Sequence, residues 1–284
     1  MNYLQTTSTE KGKNINLFYQ DYGEGQPIVL IHGWPLSHQM WEYQIGPLVD
    51  AGYRVIAYDR RGFGKSDKPW EGYDYDTLAK DLNDLINSLD LKDVILVGFS
   101  MGGGEVSRYI GNYGTSRIAK AVLMSSVAAF MLKTDDNPDG VPKETFDEFK
   151  SAVRKDRLNF LKEFGNNFVN YDDNKDLISK EQVHFNWNIA AHASAKATLD
   201  CIDSFGKTDF RQDLKKFDVP TLIIHGDADE VVPIEPSAKQ AAKIVPHGQL
   251  EVIKDAPHGL VFTHTEKVNK ILLDFVTATE LETI

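Results

Sequence analysis

The stretch that decides the reading of this chain is VILVGFSMGGGE, Val94 to Glu105. Val94, Ile95, Leu96 and Val97 make a short, largely β-branched apolar run, as a strand buried on both faces requires, and Met101 to Tyr113 continues in helix-compatible residues. Between them, Gly98-Phe99-Ser100-Met101-Gly102 has to turn the chain from strand to helix within a residue or two. In so tight a corner a Cβ at position 98 or 102 would collide with neighbouring backbone, which accounts for the flanking glycines. Gly103 and Gly104 extend the close approach. Ser100 stands at the corner itself and is the first candidate nucleophile.

Outward from this corner, further strands are expected at Asn16 to Tyr22, Pro27 to Ile31, Arg54 to Tyr58, Ala119 to Met124, Thr221 to Ile224 and Leu250 to Ile253. The first, followed by Gly23-Glu24-Gly25, reads as an edge hairpin ahead of a central strand. Leu78, Leu82, Leu85, Ile86 and Leu89 keep helical spacing between two of these strands, and Val268, Ile271, Leu272 and Phe275 repeat the stripe near the C-terminus. Strands alternating with helices predict an α/β fold whose mostly parallel sheet is covered on both faces, with ligands outside the carboxyl ends of the strands. The alternation breaks from Val127 to about Arg211. That segment reads as an inserted helical cap with stripes at Phe146, Phe149 and Val153, at Leu158, Leu161, Phe164 and Phe168, and at Leu199, Ile202 and Phe205. Ser179 and Gln182 form a capping box before Trp187. The expected division is core 1–127, cap 128–211 and core 212–284.

A serine hydroxyl is a weak nucleophile until a base takes its proton, and the base needs an acceptor that fixes its tautomer. Both are expected at strand ends. The strand Thr221 to Ile224 runs into His225-Gly226-Asp227-Ala228-Asp229-Glu230, an acidic loop, and Leu250 to Ile253 runs into Lys254-Asp255-Ala256-Pro257-His258. Of the eight histidines, His258 has the position of a base. His225 reads as a packed or hydrogen-bonded histidine near the end of its strand, and surface or cap roles are expected for His38, His184, His192, His247 and His264. Asp229 and Asp227 are both candidates for the acid; Asp229 lies farther into the loop and is freer to reach an imidazole, whereas Asp227 is placed to brace the turn.

Acyl transfer also needs two donors aimed at the developing oxyanion. The backbone N–H of Met101, at a helix N-terminus, is one. The loop after Ile31 reads His32-Gly33-Trp34-Pro35, and because Pro35 has no N–H, Trp34 supplies the other. Gly64-Lys65-Ser66 mimics the tail of a phosphate-binding loop, but the leading glycine of that motif would fall at Asp59. Neither H-E-x-x-H nor clustered cysteines suggest a metal.

With 284 residues, 42% hydrophobic and 26% charged, the chain is long enough to bury a substantial core. A net charge of −11 works against nucleic acid or an anionic membrane surface as partner. The lone Cys201 excludes an internal disulfide, the opening MNYLQTTSTEKGKN lacks the apolar core of a signal peptide, and no apolar run reaches the ~20 residues of a membrane span. A cytoplasmic location is therefore expected, while oligomeric state is left open.

Together HGWPLS (His32 to Ser37), DRRGFGKSD (Asp59 to Asp67), GFSMGGGEVSRYI (Gly98 to Ile110), TDFRQDL (Thr208 to Leu214), HGDADEVVP (His225 to Pro233) and APHGL (Ala256 to Leu260) give the chain a family likeness. It resembles the cofactor-free bacterial haloperoxidases and arylesterases, or perhydrolases, of the α/β-hydrolase superfamily. The resemblance spans nearly the whole chain and is weakest in the cap from Lys133 to Ala195. It implies a mostly parallel eight-stranded sheet flanked by helices, with the helical cap inserted. It also implies a triad of Ser100, Asp229 and His258, an oxyanion hole at Trp34 and Met101, and no cofactor. The expected activity is hydrolysis of small carboxylic esters through an acyl-enzyme. Hydrogen peroxide in place of water would yield a peracid, which oxidises halide in solution. Hydrolysis of a lactone or cyclic amide by the same triad, and a ligand-binding module with little turnover, are the alternatives. Haloalkane dehalogenase and epoxide hydrolase are disfavoured, since related folds with those activities use a carboxylate where Ser100 stands.

Overall fold

A computed structural model describes residues 2–278. Eight strands, β1 (Asn2–Glu10), β2 (Lys13–Tyr22), β3 (Pro27–Ile31), β4 (Arg54–Tyr58), β5 (Val94–Phe99), β6 (Ile118–Met124), β7 (Thr221–Gly226) and β8 (Gly248–Ile253), form one sheet in the order β1-β2-β4-β3-β5-β6-β7-β8. β1 with β2 and β2 with β4 pair antiparallel, and every later pair is parallel. Helices α1 (Glu42–Asp50), α2 (Tyr75–Ser88) and α3 (Met101–Tyr113) follow β3, β4 and β5. The insert between β6 and β7 is made of α4 (Lys143–Phe168), α5 (Lys180–Ala191) and α6 (Ala195–Lys207), and α7 (Arg211–Leu214), α8 (Gln240–Ile244), α9 (Leu260–Thr263) and α10 (Thr265–Thr277) complete the chain.

The buried runs of β3, β4 and β5 lie inside a sheet covered on both faces, as their unbroken apolar character requires. α2 starts where the Asp74 side chain accepts the Thr77 N–H, and it buries Leu78, Leu82, Leu85 and Ile86. The insert follows the sequence pattern closely. α4 is interrupted at Asp156, whose carboxylate accepts the Asn159 N–H at 3.0 Å, so its two halves carry the two aromatic stripes separately. Ser179 caps α5 by accepting from Gln182 N.

The hairpin differs from expectation. β2 turns back at Lys11 and Gly12, both with positive φ, to pair with β1, a strand the sequence pattern does not announce. The inward positions of β1 alternate as they should, but they are Leu4 and the polar Thr6, so the period-two hydrophobic signal vanishes. The Gly23–Gly25 segment leads to β3, which β4 separates from β2.

The sheet and insert converge on the loops after β3, β5, β7 and β8. Here the packing is tight: a Cβ built on Gly98 would stand 2.4 Å from Gly102 O, and one on Gly102 would stand 2.3 Å from Ile31 O. Gly102→Ala is therefore expected to destabilise the protein by ~2 kcal/mol or more, seen as a lower urea midpoint. Gly46→Ala, inside α1 with nothing within 4 Å of its added methyl, is expected to act with the opposite sign, raising stability by up to ~1 kcal/mol.

Candidate active site

Ser100 occupies the single residue between β5 and α3, with φ 53° and ψ −119°. A non-glycine residue at that φ is strained by roughly 1–3 kcal/mol and persists only where its surroundings over-determine it. They do: Ser100 N donates to Met124 O at 2.8 Å, and Ser100 O accepts from Gly103 N at 3.0 Å and Val127 N at 3.3 Å. The loop after β8 brings His258 Nε2 to 2.9 Å from Ser100 Oγ. The loop after β7 brings Asp229 Oδ2 to 2.7 Å from His258 Nδ1. Nδ1–H thus donates to the carboxylate, which leaves the Nε2 lone pair to accept the serine proton.

Asp229 has a dense set of partners. Its Oδ1 accepts from Val231 N at 3.0 Å and Val232 N at 2.8 Å. His225 Nε2, which bonds Val232 O at 2.9 Å, lies 3.2 Å from Asp229 Oδ2. Burial alone would raise the pKa of Asp229, but the charge and hydrogen bonds of His258 and His225 outweigh it and hold the carboxyl well below the usual carboxylate range. Asp227, the other candidate acid, points elsewhere: its Oδ1 accepts from Asp255 N at 2.6 Å and so fastens the loop that carries His258. His258 packs against Phe99 and Phe168, with ring centroids 5.1 and 4.8 Å away. Gly259 N donates to Phe168 O at 2.6 Å, joining the same loop to the last residue of α4.

Trp34 and Met101 flank the serine. A Cβ on Gly33 would come within 3.0 Å of the Ser100 Cβ, so the loop after β3 lies directly on the corner. Neither the Trp34 nor the Met101 N–H donates to a loop or cap acceptor among the described residues. Ser100 opens onto a cavity of about 300 Å³ whose walls include five aromatic residues: Trp34, Phe146, Phe149, Phe164 and Phe205. Of the cap aromatics singled out in the sequence, Phe164 reaches the cavity, Phe160 stacks on Phe164, Phe168 supports His258, and Trp187 packs on His184 away from the site. Val231 and Val232 also line it, beside the acid they help to hold, and no periodicity in the sequence marks them.

One histidine departs from expectation, and a second is buried beside it. His38 is buried rather than on the surface, its Nδ1 2.7 Å from Asp59 Oδ1. Asp59 also accepts from Lys65 N at 2.7 Å, so Gly64-Lys65-Ser66 wraps a carboxylate instead of a phosphate. His32 is fully buried: its Nε2 accepts from Arg60 N at 3.0 Å and its Nδ1 bonds Gly33 O at 2.9 Å. Burial, reinforced by the Arg60 charge, lowers the His32 pKa from 6.5 to about 3. The unfolded chain then binds a proton that the folded chain refuses, so this contribution to stability is complete above about pH 6.5 and declines as pH falls towards 3. Between pH 7 and pH 5 it amounts to about 2 kcal/mol. Urea unfolding across that range is expected to show a correspondingly smaller loss in His32→Gln than in the wild type.

With this geometry the chain matches proteins of known type. Residues 26–265 match the family described as the alpha/beta hydrolase fold. The chain is 46% identical over 264 residues to a non-heme chloroperoxidase of Kitasatospora aureofaciens, covering 92% of this chain and 96% of that protein. It is 40% identical over 265 residues, 92% of this chain and 96% of the other, to a bifunctional esterase/perhydrolase of Acinetobacter calcoaceticus. Among solved structures, the bromoperoxidase of Bacillus anthracis superposes with a TM-score of 0.93 at 51% identity, over 98% of this chain and 100% of that one. The likeness runs through both halves of the sheet and the helical insert alike, and the chain belongs to the α/β-hydrolase family, among the cofactor-free haloperoxidases and perhydrolase-esterases.

Proposed function

We propose that the protein hydrolyses small, neutral carboxylic esters through an acyl-enzyme on Ser100, and that hydrogen peroxide can replace water as the acyl acceptor. The observation that carries this reading is the hydrogen-bonded relay from Ser100 Oγ through His258 to Asp229, opening on an aromatic cavity of about 300 Å³. In this scheme Ser100 Oγ attacks the ester carbonyl as His258 Nε2 takes its proton. The oxyanion is met by the N–H groups of Trp34 and Met101, and Asp229 steadies the imidazolium. The same imidazolium protonates the departing alcohol or phenol. Water, deprotonated by His258, then attacks the acyl-enzyme and releases the acid and free Ser100.

With hydrogen peroxide in that last step, the acyl group leaves as a peracid and the serine regains its proton. The peracid oxidises halide outside the site, becoming the carboxylate as the halide becomes hypohalous acid. That its relatives include a chloroperoxidase and an esterase/perhydrolase supports this pairing. A cavity of this size with aromatic walls suits a short acyl or aryl group. Its charged lining residues are Asp139 and Glu230, so an anionic substrate would meet like charge. We take residues 128–211 as the cap that supplies much of this wall, set between core segments 1–127 and 212–284.

Phenyl acetate hydrolysis is expected to show a burst in the wild type, and Ser100→Ala to lose it along with at least ~10³-fold in kcat. Asp229→Asn, which leaves the serine in place but removes the acceptor that fixes the His258 tautomer, is expected to cost ~10³- to 10⁴-fold. Equal activity in wild type and Ser100→Ala would end the acyl-enzyme reading. Peracid formed from acetate and peroxide, measured against an unrelated serine esterase, tests the second acceptor.

A further inference from the structure

Two segments quoted from the sequence, Asp59 to Asp67 and Gly98 to Ile110, each contribute a buried charge that the proposed chemistry does not use. Arg60, just past β4, and Glu105, in α3, are 1% and 0% exposed, and Arg60 Nε lies 2.7 Å from Glu105 Oε2. The other arm of the guanidinium, Nη2, donates to His32 O at 2.7 Å. Burial pushes the Glu105 carboxyl above its ordinary range. Arg60 has no neutral form at working pH, however, and Glu105 is the carboxylate bonded to it, so the pair is charged.

The position of this pair is informative. Glu105 lies four residues after Met101, one helical turn along the same face of α3. His32 lies two residues before Trp34. One rigid guanidinium therefore bonds both the helix that carries one candidate oxyanion donor and the loop that carries the other. The Arg60 backbone adds a third tie through His32 Nε2, and His32 in turn holds Gly33 O, the carbonyl next to the Trp34 N–H. Stability alone is a weak reason for such a pair, since an apolar pair of similar volume often serves as well. Glu105 Oε1 is moreover buried without a hydrogen-bond partner among the described residues, a cost the fold tolerates.

We propose that the Arg60–Glu105 ion pair fixes the separation and aim of the Trp34 and Met101 N–H groups, making Arg60 and Glu105 positioning residues for the oxyanion. The inference rests on the acyl-enzyme reading above. A misplaced donor weakens the transition state while leaving the aromatic cavity that binds the ground state intact. The loss thus falls on kcat and not on KM.

The test uses the full chain with Arg60 and Glu105 both replaced by Met, which removes the two charges together and so avoids leaving one buried alone. With phenyl acetate, kcat is expected to fall about 10- to 100-fold with KM within about twofold. Phenylboronic acid, whose adduct with a serine places an oxygen where the oxyanion forms, is expected to bind more weakly by the same factor. An unchanged kcat, or kcat and KM shifting with boronate affinity intact, overturns the proposal. Should the double variant fail to fold, Arg60→Lys is read by the same criteria, because its single ammonium keeps the charge but loses the fork that spans Glu105 and His32. A wild type inert towards phenyl acetate would instead overturn the hydrolase reading itself, whereas a loss confined to the variants' kcat bears on the ion pair alone.

Discussion

Backbone crowding at one corner governs the arrangement of everything functional in this protein. β5 can deliver Ser100 to the carboxyl end of the sheet only if α3 folds back against its own strand, and this demands that residues 98 and 102 carry no side chain. The absent Cβ atoms let three backbones touch: β5, the first turn of α3, and the end of β3 at Ile31 and His32. Once these are in contact, the loop bearing Trp34 and the helix N-terminus bearing Met101 both lie beside the serine. The positive φ of Ser100 is the local cost of that contact, held by hydrogen bonds to Met124, Gly103 and Val127.

Charge placement completes what the crowding begins. Carboxylates at the ends of β4 and β7 act less as surface charge than as anchors for loops. Asp59 gathers His38 and Lys65, Asp227 fastens the segment before His258, and Asp229 accepts two backbone N–H groups besides the imidazole. A carboxylate has more acceptor capacity than one partner needs, so Asp59 and Asp229 each order a loop and still hold a side chain in place. In an acidic protein these carboxylates, of which Asp59 and Asp229 are buried, are held by specific donors rather than by a general excess of positive charge.

Much of this is legible in the sequence because the constraints are local. A strand followed by G-x-S-x-G, acidic and histidine-bearing loops after later strands, and HGWP after a central strand all report contacts that must occur close to the residues themselves. The insert's helices are legible for the same reason, since their aromatic stripes keep helical spacing on either side of Asp156. The features that escape the sequence depend on distant partners. β1 exists because β2 offers it an edge, and one of its inward residues is Thr6, which carries no hydrophobic signal. His38 reads as an ordinary loop histidine until Asp59, 21 positions away, is seen to hold it. The cavity wall draws Val231, Phe146 and Phe205 from segments whose patterns say only that they pack somewhere. Between Asp227 and Asp229, the decision turns on where Asp255 N lies, which spacing cannot give.

The bond from Gly259 N to Phe168 O has a bearing on how this scaffold diversifies. It joins the last residue of α4 to the residue after His258, and the Phe168 ring packs on the imidazole itself. The insert is therefore not an interchangeable attachment on a finished core. A foreign cap grafted onto this sheet has to offer a carbonyl and an aromatic edge at the same spot, or the imidazole loses its support from that side. Substitution near the end of α4 is accordingly constrained twice over, because Phe164 lines the cavity and Phe168 supports the imidazole.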